Sequence, residues 1–284
     1  MKLRVYHSVW GNRSNGAQAI ATARVSGFDG IEGPAPAGAP ERRDWRAQLG
    51  DAGLDYIAEI CTMGSYIPRP GATPAEHLAS LRAGMEDALE CSPHFITTLA
   101  GSDSWPVAES IEFLGQAVEL ARELGTVLSV ETHRSRCLYS PWVTREVLRQ
   151  LPDLRLTCDF SHWCCVCERL VLDEEPALLE LCAERAHHFH ARVGYDQGPQ
   201  VPHPGAPEYE PALHAHERWW DAIWNAQERA GRLIGTMTPE FGPDGYLHTI
   251  PFSAIPVADL GDLNCWMAER QRSRFADRFA VRVA

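Results

Sequence analysis

Lysine is nearly missing from this chain: Lys2 is the only one among 284 residues, and the rest of the 26 basic side chains are arginines. Chemistry that needs a buried amine, such as Schiff-base formation, is left with one candidate at the second residue and is set aside. Positive charge is scarce overall, with 38 Asp and Glu, a formal net charge of −12 and a sequence pI near 5.4. Nucleic-acid binding depends on neutralising phosphates with Lys and Arg, so this balance opposes it. No run approaches the roughly 18 apolar residues that cross a bilayer, and no basic stretch precedes an apolar segment at the N-terminus. The nine cysteines are an odd number and follow no secretion signal, which is read as reduced thiols in a cytoplasmic protein without membrane partners. No GxGxxG follows the first strand-like run, which counts against an open dinucleotide-binding sheet.

What is present is ordinary globular composition, 45% apolar and 23% charged, in a chain of the length one (β/α)₈ barrel needs. Strand-like and helix-like segments alternate, the pattern of βα units around a parallel sheet. Strands are expected over Leu3–His7, Asp29–Glu32, Asp55–Ile60, His94–Leu99, Thr126–Glu131, Leu154–Asp159, His187–Ala191 and Leu233–Thr238. Helices are expected over Ala17–Val25, Arg42–Asp51, Pro74–Glu90, Ala108–Leu124, Thr144–Gln150, Glu175–Ala183 and Glu217–Ala230, with an extra C-terminal one over Asp259–Phe279. Gly27, Gly53, Gly125 and Gly231 stand where left-handed helix stops belong. The count predicts a single TIM barrel domain over residues 1–284.

Two stretches read as neither strand nor helix. Arg192–His214 carries Pro199, Pro202, Pro204, Pro207 and Pro211, and Gly242–Val257 carries Pro243, Pro251 and Pro256. They are long loops after strands seven and eight, suited to cover a site; surface decoration or a subunit contact is the plainer reading.

Strands five to eight end in Glu131, Asp159, His190 and Glu240, from the runs TVLSVE, LRLTCD, HHFH and LIGTMTPE. At the C-terminal mouth of a barrel, strand ends about 4.8 Å apart can supply ligands to one ion. A single carboxylate in such a place otherwise caps the following helix. Three carboxylates and an imidazole suit one divalent cation, with Mn²⁺ favoured over Mg²⁺, Co²⁺ or Zn²⁺. Alternation puts His133 and Arg192 higher in the same cavity and His188 a layer below, as an interior histidine. His133 is open between substrate contact and structural hydrogen bonding. The Cys164-Cys165-Val166-Cys167 cluster lacks a second CxxC or a spaced histidine and reads as buried and inert rather than as a zinc site. Trp219, Trp220 and Trp224 read as core or an oligomer face before a sugar-stacking platform.

The motifs SVETH, LTCDFSHW, HFHARVGYDQGPQ and MTPEFGP resemble the metal motifs of the xylose isomerase-like barrel superfamily, which includes ketose 3-epimerases, inosose dehydratases and endonuclease IV-type repair enzymes. The resemblance runs through essentially the whole chain. It implies Glu131, Asp159, His190 and Glu240 as metal ligands, with Glu131 and Glu240 also as the catalytic bases. It implies His162 and Arg192 as substrate-binding residues, although Arg192 follows His190 at a shorter offset than in the epimerases. On the same analogy Trp10 and Glu32 are cavity walls. A homodimer or homotetramer is implied too, with the C-terminal helix and Trp266 as an interface.

With these ligands a cation can hold a carbonyl and an adjacent hydroxyl and stabilise the enediolate that forms when a carboxylate takes the neighbouring proton. Returning that proton to the opposite face epimerises, returning it to the next carbon isomerises, and losing the β-hydroxyl dehydrates. The expected function is therefore a metal-dependent sugar isomerase or epimerase. A lyase on a cyclitol or 3-keto-glycoside is the alternative, and a non-catalytic barrel serving as a binding module is a third reading. GPDGY after strand eight has glycines but also Asp244, and no lysine is near, which favours an unphosphorylated substrate. The trinuclear repair-enzyme site is not matched: Cys61 follows strand three, no histidine follows strand four, and Asp196 precedes Gln197 and Gly198.

Overall fold

Short runs that are apolar on both faces can be buried only inside a parallel sheet clothed by helices, and this chain uses eight of them. The computed structural model describes residues 1–11, 16–243 and 245–280. The units follow one another as β1 (Lys2–Ser8), α1 (Gly16–Val25), β2 (Gly30–Gly33), α2 (Ala39–Ala52), β3 (Asp55–Cys61), α3 (Pro74–Leu89), β4 (Phe95–Leu99) and α4 (Val107–Glu123). They continue as β5 (Leu128–Glu131), α5 (Pro141–Gln150), β6 (Arg155–Cys158), α6 (Ser161–Cys167), α7 (Pro176–Arg185), β7 (Ala186–His190), α8 (Glu210–Arg229) and β8 (Ile234–Thr238). A two-stranded hairpin, β9 (Thr249–Ile250) with β10 (Ile255–Pro256), and α9 (Leu260–Ala280) complete the chain.

The eight long-range strands pair in parallel and in order, and β1 closes on β8 through Lys2↔Ile234 to Val5↔Met237. This is the (β/α)₈ barrel. Each expected strand is present, with ends shifted by at most two residues. The four anticipated glycine stops all hold positive φ, from +66° to +71°. At Gly53 the left-handed turn returns its N–H to the carbonyls of Leu49 and Gly50, closing α2.

Inside the barrel, alternation sorts side chains into layers. Tyr6, Ile57 and Phe95 form a small buried cluster separate from the main core. The rings of Phe95 and Tyr6 lie 5.5 and 6.3 Å from that of His188, which rests on this plug. One layer up the interior turns polar, with Thr157 hydrogen-bonded to Thr97 at 2.8 Å and Ser129 at 2.7 Å. A register shift between Leu156 and Thr157 brings Thr157 opposite His188. Bulges of this kind re-aim side chains at barrel rims.

Three expectations are corrected. Arg192–His214 does hold helix: a 3₁₀ turn at Pro207–Tyr209 runs into α8 from Glu210, seven residues before the expected start. Pro211 sits in the first turn, where a missing N–H costs no helical bond. Gly242–Val257 is not wholly irregular, since it folds back as the β9–β10 hairpin; Asp244 lies outside the described residues. The stretch after β6 forms α6, an additional helix. Trp219, Trp220 and Trp224 are buried in the core, as expected.

The candidate metal centre

Asp159 stands one residue beyond β6 and Glu240 two beyond β8, while Glu131 and His190 are the last residues of β5 and β7. All four side chains are at least 90% buried, and one ligand atom from each lies within 4.8 Å of the others. His190 is the hinge of the arrangement. Its Nε2 meets Glu32 Oε1 at 3.1 Å. Its Nδ1 faces oxygens of Glu240, Asp159 and Glu131 at 3.0, 3.6 and 3.8 Å, yet is aligned for a hydrogen bond with none of them. A carboxylate on one ring nitrogen and an unsatisfied buried nitrogen on the other is the pattern of a metal-binding histidine. The donor set therefore fits a divalent cation.

The electrostatics agree. Burial raises the Glu131 carboxyl, His190 opposes this, and Glu240 and Asp159 add repulsion, leaving it well above the usual carboxylate range. At His190 burial favours the neutral ring, but Glu240, Glu32 and Glu131 prevail and push it well above the ordinary imidazole value. The cluster is short of positive charge, and a cation would supply it while displacing the imidazole proton. Asp159 is held low instead: burial raises it, but Arg192, His162 and His190 outweigh that. Its Oδ1 also accepts the N–H of Ser161, at 3.1 Å, at the start of α6, so this carboxylate does serve a helix start as well as the cluster.

Two further groups have metal-ligand geometry, Glu32–His188–His190 and Glu131–His133–His162. In the first, Glu32 already engages both rings, with His188 Nε2 at 3.2 Å, and His188 is completed by Thr236 and Thr238. It is a satisfied interior histidine. In the second, His162 Nε2 accepts from Arg192 Nη2 at 2.7 Å, and His133 Nδ1 is engaged by the carbonyl of Arg134. Burial and then the charge of Arg192 push His133 down to about 3. The four-residue group alone brings three carboxylates to one unengaged nitrogen.

Above the cluster opens a cavity of about 790 Å³ whose walls include Glu131, His133, Arg192, Glu240 and Trp10. Arg192 is 1% exposed and bonds Asp159, and its guanidinium lies 5.3 and 5.0 Å from the rings of Trp10 and Tyr246, which themselves meet edge to face at 4.8 Å. Glu32 does not form a cavity wall as anticipated; 1% exposed, it lies beneath and is engaged by the two histidines. His162 is likewise fully buried, behind Arg192. The cysteines of α6 join no metal-ligating group among the described residues, and Cys164 instead approaches His216 at 3.8 Å.

Four contributors escaped sequence reasoning. Glu59, on β3, lines the cavity, and burial followed by Glu240 and Glu32 pushes it up to about 7. The signal was parity: Glu59 and Cys61 alternate inward with Ile57. Asn264 of α9 brackets Phe241, accepting its N–H at 2.9 Å and donating to its carbonyl at 3.1 Å. Gln200 does the same for Gly242, at 2.8 and 3.1 Å. Tyr246 is the second ring beside Arg192.

The family model for the xylose isomerase-like TIM barrel matches residues 20–217, well over half of the chain. Among curated proteins, none matches this chain in sequence. Solved structures share the fold at low identity. The D-allulose 3-epimerase of Methylomonas sp., solved with D-allulose, is 14% identical at a TM-score of 0.62, covering 95% of this chain and 97% of its own. The "probable 3-DHS dehydratase AsbF" of Bacillus anthracis is 14% identical at 0.61, covering 96% and 100%. The 3-keto-D-glucoside 4-epimerase YcjR of E. coli is 13% identical at 0.60, covering 96% and 100%. The chain belongs to the xylose isomerase-like TIM barrel family.

Proposed function

We propose that the protein is a divalent-cation-dependent sugar isomerase or epimerase acting on an unphosphorylated keto-sugar or related polyol. The observation that carries this reading is His190, with one nitrogen fixed by Glu32 and the other turned unsatisfied toward Glu131, Asp159 and Glu240. Those four residues would hold the ion, Mn²⁺ foremost, and when bound it supplies Lewis acidity toward a carbonyl and its neighbouring hydroxyl. Glu131 and Glu240 stand on strand ends that are not neighbours in the barrel and both line the cavity, so each can reach one face of a planar carbon centre. One takes the proton beside the carbonyl, and the other returns it. Assistance of this kind contributes about 10²–10⁴-fold. Arg192 and His133 orient substrate oxygens from the rim, and His162, buried behind Arg192, holds its guanidinium in place.

A second reading, dehydration of a cyclitol or 3-keto-glycoside, is favoured by Glu59. Burial, then Glu240 and Glu32, push this cavity-lining carboxyl up to about 7, which favours its protonated form as a donor to a leaving hydroxyl. The two readings separate in D₂O. An epimerase or isomerase incorporates solvent deuterium at the carbon beside the carbonyl without loss of water, while a lyase generates an ultraviolet enone band. Under either, Glu240→Gln abolishes turnover and exchange with the fold intact. Undiminished activity in that variant contradicts the assignment.

A further inference from the structure

The cavity is larger and drier than one monosaccharide needs. A hexose of twelve heavy atoms, counted generously as twelve waters of about 30 Å³, takes less than about 360 Å³. The cavity measures about 790 Å³. Its charged groups stand at the ends of β5, β7 and β8 and, as Glu59, on β3, whereas the described residues that wall the sector beside β1 and β2 include Val9, Trp10, Pro34, Ala35, Pro36 and Trp45. None of these six side chains is charged.

Part of the backbone of that sector is already paired. Val9 gives its N–H to the carbonyl of Glu32 at 3.0 Å, and Trp10 gives its own to Ser8 Oγ at 3.2 Å. Pro34 and Pro36 have no N–H, and the carbonyls of Pro36 and Ala37 accept from Arg42 at 3.3 and 2.7 Å. A second sugar ring would find no partner for its hydroxyls in the side chains of Val9, Pro34, Ala35 or Pro36, and each hydroxyl left unpaired carries a cost. A flat apolar ring loses nothing there and gains contact with two indoles. Trp45 is 8% exposed, and its indole N–H is buried without a hydrogen-bond partner.

Resting on the function proposed above, we infer that the β1–β2 sector is a subsite for an aromatic aglycone, so that the substrate is an aryl glycoside whose sugar ring carries the reacting carbonyl, or a similar keto-sugar–aryl conjugate, rather than a free monosaccharide. The sugar would meet the ligand cluster on the β5–β8 side, and the aryl group would lie over Ala35 and Trp45.

Calorimetric titration of the Mn²⁺-loaded full chain with matched phenyl and methyl β-glycosides of D-glucose, D-galactose and D-xylose tests this without requiring turnover. At least one phenyl glycoside is expected to bind about tenfold or more tighter than its methyl partner, the gain from burying part of a ring. Cellobiose, which places a sugar in the same sector, is expected to bind no better than the methyl glucoside. Ala35→Phe, which fills the sector, is expected to bring the phenyl-to-methyl ratio to about one while Mn²⁺ still binds. The inference is overturned if no phenyl glycoside exceeds its methyl partner, if cellobiose matches the phenyl glucoside, or if the preference survives in an Ala35→Phe protein that still takes up Mn²⁺. Those outcomes touch only the subsite; absence of Mn²⁺ binding or of solvent exchange would strike the proposed function instead.

Discussion

His190 is legible from both of its nitrogens. Glu32 is fixed low on the pKa scale because, although burial raises it, His190 and His188 outweigh that. It is an anion that fixes the tautomer of the ring above it. The family resemblance suggested a cavity wall at this position, and a resemblance in sequence says nothing about the layer in which the side chain lies. Glu32→Gln keeps the shape and removes the charge, and outer partners of this kind typically matter by about 10–100-fold in metal affinity. The expectation is a weakening of that order in Mn²⁺ binding by calorimetry, with the circular dichroism spectrum unchanged. Unaltered affinity would assign Glu32 to packing alone. Glu59 illustrates the opposite failure of sequence reading: inside the run DYIAEIC it looks like a strand residue of no special kind, and only the closure of the barrel brings it to the rim that Glu240 shares.

At the scale of elements, the end of β8 is held from outside the barrel. Glu240 is followed by Phe241 and Gly242, each gripped at both its N–H and its carbonyl by a side-chain amide, from Asn264 on α9 and Gln200 after β7. Neither amide is visible as a site residue in sequence, because both touch backbone and their partners lie 23 and 42 positions away. The loop after β7 thus does more than cover the cavity, since its buried Gln200 ties the seventh and eighth loops together. Asn264→Leu strands a buried N–H and carbonyl at Phe241, which should cost about 1–3 kcal/mol per unpaired group. Denaturant unfolding should show that loss, and kcat should fall with it because Glu240 is no longer pinned. Full kcat in a destabilised Asn264→Leu protein would show that the clamp serves stability alone. The strands were readable because each is a short apolar run bounded by turn residues. Helix α8 was misjudged because five prolines in 23 residues (192–214) outweighed the one position where proline is harmless.

For the whole molecule, order and closure matter more than any single contact. Eight parallel strands in sequence order force the ends of β5 to β8 onto one arc of the rim, which is why four side chains scattered over some 110 residues become a single cluster. That part of the centre could be inferred from sequence, because it follows from strand count and from the last residue of each run. The layer below, the clamps and the dry β1–β2 sector depend on inter-strand register and on loop folding, neither of which periodicity encodes. The central claim is that Glu131, Asp159, His190 and Glu240 jointly hold one cation, in preference to the two neighbouring groups that share Glu131 or His190. Anomalous diffraction from crystals grown with Mn²⁺ tests this most directly. One peak is predicted per chain, bonded to His190 Nδ1 and to an oxygen from each of the three carboxylates. A peak at Glu131–His133–His162 or Glu32–His188–His190, or no peak at this rim at all, would contradict the account.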